Sequence, residues 1–96
     1  MKKHNEISLG EALNQLITEL KWKDKLYEQQ IKEIWSHNYG QTIANATTKI
    51  SINERVLTLQ INSSAIKHQV AYSKATILKE INQKLNENYL IDIKLL

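Results

Sequence analysis

The chain has 96 residues, contains no cysteine, and carries 13 Lys and Arg against 10 Asp and Glu, which gives a formal net charge of +3. This length allows one domain with one small core, and the missing cysteines exclude disulfides, thiolate catalysis and cysteine-ligated zinc. All basic residues except Arg55 are lysine, so we expect any nucleic-acid contact to be directed at backbone phosphates and to be salt-sensitive. No apolar run is long enough to span a membrane and no signal peptide is apparent, so a cytoplasmic protein is expected.

The N-terminal third is predicted to be helical. We expect residues 1–7 to be frayed or disordered, and the capping-box pattern of Ser8 and Glu11 predicts the start of a helix. The apolar residues that follow have helical spacing, and we expect them to face the core. They are Leu9, Ala12, Leu13, Leu16, Ile17 and Leu20. Trp22 and Leu26 are expected to anchor the charged stretch that comes next, with Trp22 covering the same core.

A second helix is predicted through Ile31 and Trp35, with a stop at Gly40. Because Trp35 is in phase with apolar neighbours, a core position is favoured over an exposed position that stacks on bases. After Gly40 the period of the apolar residues changes to two, which predicts an antiparallel hairpin with one face exposed to solvent. The two strands are expected to be joined by a polar turn at Asn53-Glu54. The inward residues of the hairpin are Ile50, Ile52, Leu57, Leu59 and Ile61.

A long amphipathic helix is predicted from Ser64 to Asn86, with Ser63 or Ser64 as its cap. The final stretch alternates again and predicts a third strand over residues 90–96. Its inward residues are Ile91, Ile93 and Leu95. The order α-α-β-β-α-β predicts the α+β class, as a small two-layer domain over residues 8–96 in which helices pack on a three-stranded sheet.

Five polar residues are candidates for nucleic-acid contact. Lys67 and Lys74 fall one heptad apart within the apolar arc of the long helix, so each must either extend past the sheet edge to water or meet an anion. With the helix N-terminus at Ser64, they would form a corner that attracts phosphate. Lys49 and Arg55 either extend this basic surface or simply discourage pairing at the sheet edge.

Other residues give little sign of chemistry. Tyr72 lies on the polar side of the long helix and is a candidate for a partner surface. The three histidines (His4, His37 and His68) are not at metal-ligand spacing, no nucleophile elbow surrounds the serines, and two glycines cannot build a phosphate-cradling loop. We therefore expect a binding protein without metal or cofactor, and not an enzyme.

One series of residues is distinctive as an ordered set. It comprises Ser8 to Ala12, Leu26, Trp35, Gly40, Ile43, Ala44, Thr47, Leu57, Leu59, Ile61, Ser63 to Ala65, Leu78, Ile81, Asn82, Leu85, Ile91 and Ile93. This series resembles the DciA family of bacterial proteins over residues 8–95. The resemblance implies a KH-like fold, DNA binding, and help in placing the replicative DnaB-type helicase on single strands during replication initiation.

The chain departs from two features found among KH domains and relatives. It has no Gly-x-x-Gly loop of the kind that clamps a nucleic-acid backbone in KH domains, and without cysteine it cannot hold a zinc ribbon. Two alternatives to a DNA-binding helicase factor stay open. One is an RNA-associated KH-like module, and the other is a protein-interaction adaptor that binds no nucleic acid. The adaptor would be distinguished by a large exposed apolar patch.

Overall fold

The structure, a computed structural model, describes residues 8–96, so the predicted frayed segment 1–7 lies outside the described residues. The described part contains helices and one three-stranded sheet, which confirms the predicted α+β class. The elements are α1 (Leu9–Asn38), α2 (Gln41–Ala46), β1 (Thr47–Asn53), β2 (Val56–Ile61), α3 (Ser64–Tyr72), α4 (Lys74–Leu85) and β3 (Asp92–Leu95). Among these helices, none combines the length and apolar character that crossing a membrane requires.

The sheet has β2 at its centre, paired antiparallel with β1 and parallel with β3. Its inner face carries Leu57, Leu59 and Ile93, all fully buried under the helices. The opposite face carries exposed polar residues such as Gln60 and Lys94. The two-layer arrangement predicted from the alternation of apolar residues is therefore present.

The hairpin turn lies one residue later than predicted. Asn53 still pairs with Val56, and the two turn residues are Glu54 and Arg55, whose φ angles are +51° and +66°. Two consecutive positive φ angles are typical of a type I′ turn, whose twist matches that of the flanking strands. The Arg55 carbonyl accepts a hydrogen bond from Ile91 N–H (2.9 Å), which ties the turn to the chain just before β3.

The last strand is shorter than the sequence pattern indicates. Pairing with β2 begins at Asp92 opposite Val56, while Tyr89 and Leu90 enter the core ahead of the strand. The prediction that Ile91 points inward is wrong, since its side chain is 61% exposed. The reason is that the residues before the strand do not pair with β2. The backbone of Leu90 is hydrogen-bonded to the Asn82 side chain, and Ile91 N–H donates to the Arg55 carbonyl, so the alternation of the strand does not extend back to Ile91.

Helix α1 is one continuous helix of 30 residues where two helices were predicted. The predicted capping box is present, because Ser8 Oγ accepts from Glu11 N–H and the Glu11 carboxylate accepts from Ser8 N–H. The charged stretch between the two predicted helices holds strong helix formers and neither glycine nor proline, so the helix continues through it. It ends at Asn38 with Tyr39 as its C-cap, and Gly40 has the positive φ (+93°) expected of a stop.

The core-facing stripe predicted for the N-terminal half of α1 is wrong. The C-terminal half buries Tyr27, Ile31 and Trp35, but the N-terminal half extends beyond the sheet and its apolar side chains remain in solvent. Exposed fractions are 77% for Leu9, 49% for Leu13, 51% for Leu16, 48% for Ile17, 41% for Leu20, 68% for Trp22 and 50% for Leu26. Trp22 and Leu26 therefore do not anchor the core, because helical periodicity predicts a face without specifying what packs against it.

The long helix predicted from Ser64 to Asn86 is divided at Ser73 into α3 and α4. Ser73 has non-helical dihedral angles, and its N–H bonds to the carbonyl of Val70 three residues earlier instead of continuing the α-helical pattern. The predicted apolar stripe is nevertheless retained across the break. Its members Val70, Ile77, Ile81 and Leu85 are buried, and Ile66 and Leu78 pack against them.

Polar contacts hold α1 against the loop between α4 and β3. The hydroxyl of Tyr89 donates to Asp24, and the hydroxyl of Tyr27 donates to Glu87 at 2.5 Å. Lys23 pairs with Glu87 at 2.8 Å, and the two tyrosine rings meet edge to face with centroids 4.8 Å apart. These contacts lie where α1 leaves the core, so they fix the direction of its exposed half.

Candidate binding surfaces

The predicted phosphate corner is not built as one helical arc. Lys67 lies on α3 and Lys74 opens α4, so the break at Ser73 separates them. Lys74 Nζ lies 3.5 Å from Asp92 Oδ1, so this lysine already has an anionic partner. Ser63 is the cap, accepting from Ile66 N–H, which leaves the predicted Ser64 as an exposed first residue of α3. Phosphate binding by this group stays a prediction.

Arg55 is engaged within the fold. Its Nε donates to the carbonyl of Tyr89 at 2.8 Å and its terminal nitrogen donates to the carbonyl of Asn88 at 3.0 Å. The guanidinium also lies 5.5 Å from the centroid of the Tyr89 ring, a cation–π distance. Two of its five donors are therefore used to hold the loop before β3. This role was not apparent from the sequence, which placed Arg55 only at a turn.

Lys49, the remaining predicted basic residue, lines an open cavity of about 460 Å³ between α1 and the edge strand β1. Lys32 of α1 contributes a second ammonium group, and Ser36 and Ser51 contribute hydroxyls. One carboxylate is present, that of Glu28, and it accepts a hydrogen bond from Ile52 N–H at 2.9 Å. The cavity thus presents two lysines whose only nearby acid is bound to the edge of the sheet.

The outer surface of α1 continues this basic character toward the N-terminus. Lys21, Lys25 and Lys32 fall within an arc of about 40° at 100° per residue. Lys21, Lys25 and Thr18 line a shallow depression of about 280 Å³ together with the ring of Trp22. We define the basic track as Lys21, Lys25, Lys32 and Lys49 together with Trp22. It was missed from the sequence because α1 was predicted as two helices and Trp22 was assigned to the core; the continuous helical angle was the signal that could have found it.

A neighbouring face of α1, centred about 120° from the three lysines at 100° per residue, carries the apolar stripe, defined as Leu9, Leu13, Leu16, Ile17 and Leu20. Its spacing of four, three and four between the leucines is that of a helix-packing seam. The stripe leads into a groove of about 300 Å³ where α1 meets the hairpin turn, lined by Ile17, Leu20 and Tyr89 among others. Tyr72, the predicted partner residue, is 92% exposed at the end of α3.

The titratable groups with displaced pKa values belong to the contacts that hold α1. The hydrogen bond to Glu87, with burial and the negative charge of that carboxylate, raises the pKa of Tyr27 to about 12. Burial and a hydrogen bond to Glu80 raise the pKa of Tyr39 in the same way. Hydrogen bonds from Lys23 and Tyr27 lower the pKa of Glu87. Within residues 8–96, no three His, Asp or Glu side chains come together in a group that could hold a metal ion.

The described elements fall within a match to a known protein family. The family model described as "Dna[CI] antecedent, DciA" matches residues 8–95. Curated proteins and solved structures give no match. The matched range runs from the cap of α1 to the end of β3 and so includes every helix and strand described above.

Proposed function

Because the chain belongs to the DciA family, which is associated with the replicative DnaB-type helicase, we propose that it is an accessory factor that helps to place this helicase on DNA during bacterial replication initiation. The observation that carries this proposal is the family match, which covers residues 8–95 of the 96-residue chain. It agrees with the resemblance seen in the sequence. A role on the replicating chromosome would place the protein in the cytoplasm.

The apolar stripe supports a contact with a protein. Soluble proteins rarely leave a contiguous apolar patch in water unless it meets a partner. Aliphatic anchors at helical spacing are the side chains by which one helix enters the groove of another protein. We assign the helicase contact to this stripe, with Tyr72 as a second candidate. A large exposed apolar patch was expected to distinguish a protein-interaction adaptor from the nucleic-acid-binding alternatives. A helicase partner would account for such a patch equally well.

Nucleic-acid binding is proposed through backbone phosphates. The support is a chain with net charge +3 whose bases are almost all lysine, and the pair Lys32 and Lys49 facing one cavity. The residues predicted from the sequence for this contact are Lys49, Arg55, Ser64, Lys67 and Lys74. Single-stranded DNA, duplex DNA and RNA are the ligands to be compared, because phosphate contacts alone do not separate them.

The helicase contact is tested by binding of the purified replicative helicase to the immobilised protein. The double variant Leu13→Gln with Leu16→Gln removes two anchors of the apolar stripe, and we expect at least a tenfold weaker interaction. The matched control is Leu26→Gln with Ile91→Gln, which changes two exposed apolar residues outside the stripe. Equal affinity of the stripe variant and the wild type would refute this assignment, and no affinity of the wild type would refute the helicase role.

The nucleic-acid contact is tested by fluorescence anisotropy with labelled single-stranded DNA, duplex DNA and RNA at several salt concentrations. A log affinity that falls linearly with log salt at a slope of about −2 to −4 is expected for a few lysine–phosphate contacts. Preference for RNA would favour the RNA-associated alternative. Absence of binding even at low salt would leave the adaptor role. The variant Lys67→Gln with Lys74→Gln reports whether the predicted corner takes part.

A further inference from the structure

We propose that the basic track on α1 is a binding site for single-stranded nucleic acid, in which Trp22 stacks on an unpaired base and the four lysines contact phosphates. The inference deepens the proposed DNA-binding function and rests on it. It assigns the site to the outer surface of α1 and the cavity beside β1. The predicted corner on α3 and α4 is a different surface of the molecule.

Trp22 is the first support, because its exposure has no structural explanation within the described fold. It is 68% exposed, whereas Trp35, the other tryptophan, is 1% exposed and donates its indole N–H to Thr47 Oγ1 at 2.9 Å. The core is therefore closed by Trp35 and does not use Trp22. An exposed aromatic ring beside lysines is the arrangement by which proteins stack on successive bases of a single strand.

The helical angle separates Trp22 from the apolar stripe. At 100° per residue, Trp22 lies about 180° around α1 from Leu13 and about 160° from Leu20. It lies only about 60° from Lys25, with which it lines the same depression. The aromatic ring thus belongs to the basic side of the helix, and a partner that covers the leucines would leave it accessible.

The lysines of the track are the second support, because none of them pairs with a carboxylate among the described residues. Within residues 8–96 the ion pairs are Lys23 with Glu87 and Lys74 with Asp92. Lys21, Lys25, Lys32 and Lys49 take part in neither. Two carboxylates on this part of α1 accept hydrogen bonds within the fold, Asp24 from the Tyr89 hydroxyl and Glu28 from the Ile52 N–H.

The dimensions fit a short stretch of single strand. Lys21 and Lys32 are eleven residues apart, or about 16 Å along the helix axis at about 1.5 Å per residue. Lys49 then continues the line of charge across the cavity to the sheet edge. Four lysine–phosphate contacts predict a salt slope of about −3, since each contact with a single strand contributes about −0.7. A duplex hides the faces of its bases, so Trp22 would contribute only to single-strand binding.

The test uses the full chain and a labelled oligodeoxythymidylate of about 20 nucleotides. Titration with the unlabelled strand should quench the fluorescence of Trp22, and the buried Trp35 provides the constant background. Trp22→Ala should weaken single-strand binding about 5- to 150-fold, and Trp22→Phe should restore much of the loss because it keeps an aromatic ring. Duplex binding should change little in either variant.

The charge contribution is tested by Lys21→Gln with Lys25→Gln, which should make the salt slope shallower by about 1.4. The matched control is Lys79→Gln with Lys84→Gln, which removes the same charge from exposed positions on α4. Circular dichroism on every variant verifies that the helices are retained. Helicase binding should be unchanged in the Trp22 variants, because the apolar stripe lies on the other side of α1.

Two results would overturn the inference in different ways. In the first, the wild type binds single strands, Trp22→Ala binds them as tightly as the wild type, and the Lys21 and Lys25 double variant binds them as tightly as the Lys79 and Lys84 control. The site would then lie elsewhere, while the proposed DNA-binding function stands. If the wild type binds no strand even at low salt, the DNA-binding part of the proposed function fails together with the track. A loss of equal size in the track and control lysine variants would likewise reject a localised site.

Discussion

Leu20 and Tyr27 lie seven residues apart on the same face of α1, yet Tyr27 is buried against the core while Leu20 is 41% exposed. The edge of the folded core therefore falls between these two residues, and the apolar face of the helix continues past it into solvent. A protein that packs on the apolar stripe would extend the existing core along a face already in register with it. The same helix carries the basic track on a neighbouring face, so one element presents a surface for a protein and a surface for nucleic acid.

This boundary predicts unequal effects of truncation along α1. Ile31→Ala should lower the free energy of unfolding by about 2–5 kcal/mol, because Ile31 is fully buried and its removal leaves a cavity. Leu13→Ala should change it by less than about 0.5 kcal/mol, because Leu13 is about half exposed. Urea denaturation measures both. A large loss for Leu13→Ala would show that the stripe is packed within the folded chain.

The buried indole of Trp35 predicts a specific role for Thr47. Thr47 Oγ1 accepts from Trp35 Nε1 at 2.9 Å and donates to the carbonyl of Ile43 at 2.8 Å. Thr47→Val keeps the shape but leaves the indole N–H without a partner, so we expect a loss of about 1–3 kcal/mol in the free energy of unfolding. Thr42→Val, at an exposed position on α2, is the control. An unchanged denaturation midpoint for Thr47→Val would contradict the prediction.

Asn82 predicts a second stability effect, since it is the one buried polar side chain among the described residues. Its amide nitrogen donates to the carbonyl of Leu90 at 2.9 Å and its amide oxygen accepts from Leu90 N–H at 3.0 Å. Asn82→Ala would leave both backbone groups unpaired, at a cost of about 2–4 kcal/mol. Gln83→Ala, exposed on the same helix, should cost far less. Thermal or urea unfolding that gives equal losses would argue against the bridge.

Tyr27 predicts a loss of stability at alkaline pH. Its pKa is raised from 10.0 to about 12, chiefly by the hydrogen bond to Glu87. The unfolded chain therefore releases this proton at lower pH than the folded protein does. The resulting stabilisation is complete below pH 10 and declines as the pH rises through about 12. Unfolding measured from pH 8 to 11.5 should show a shallower decline for Tyr27→Phe, with Tyr72→Phe as the exposed control. A decline as steep as that of the wild type would contradict this origin.

Sequence patterns located the elements that depend on local signals. The Ser8 capping box, the stop at Gly40 and the alternation of Leu57 and Leu59 predicted a helix start, a helix end and a strand that the structure confirms. Each of these depends on residues within a few positions of one another, whose backbone preferences act before any tertiary contact forms. The break at Ser73 had no such signal, because it lies within a continuous helical pattern.

The candidate surfaces were only partly accessible from the sequence. Lys49 was identified, but its cavity is formed by Lys32 and Ser36 from a helix distant in the chain. Arg55 was read as a possible phosphate ligand, although the structure directs two of its donors to the loop before β3. Contacts between residues that are far apart in the sequence are determined by how the elements pack. The local pattern of one sequence does not predict them.

The sequence by itself determined the α+β class and which residues of each helix and strand share a face, because these follow from local backbone preference and from the periods of 3.6 and two residues. The family was indicated separately, by the resemblance of an ordered series of residues. Only the tertiary structure decided which of those faces is covered. The sheet is long enough to bury Tyr27, Ile31 and Trp35 but does not reach the leucines at the start of α1. Periodicity predicts that a helix has an apolar face, but that face is buried only where a second element packs against it.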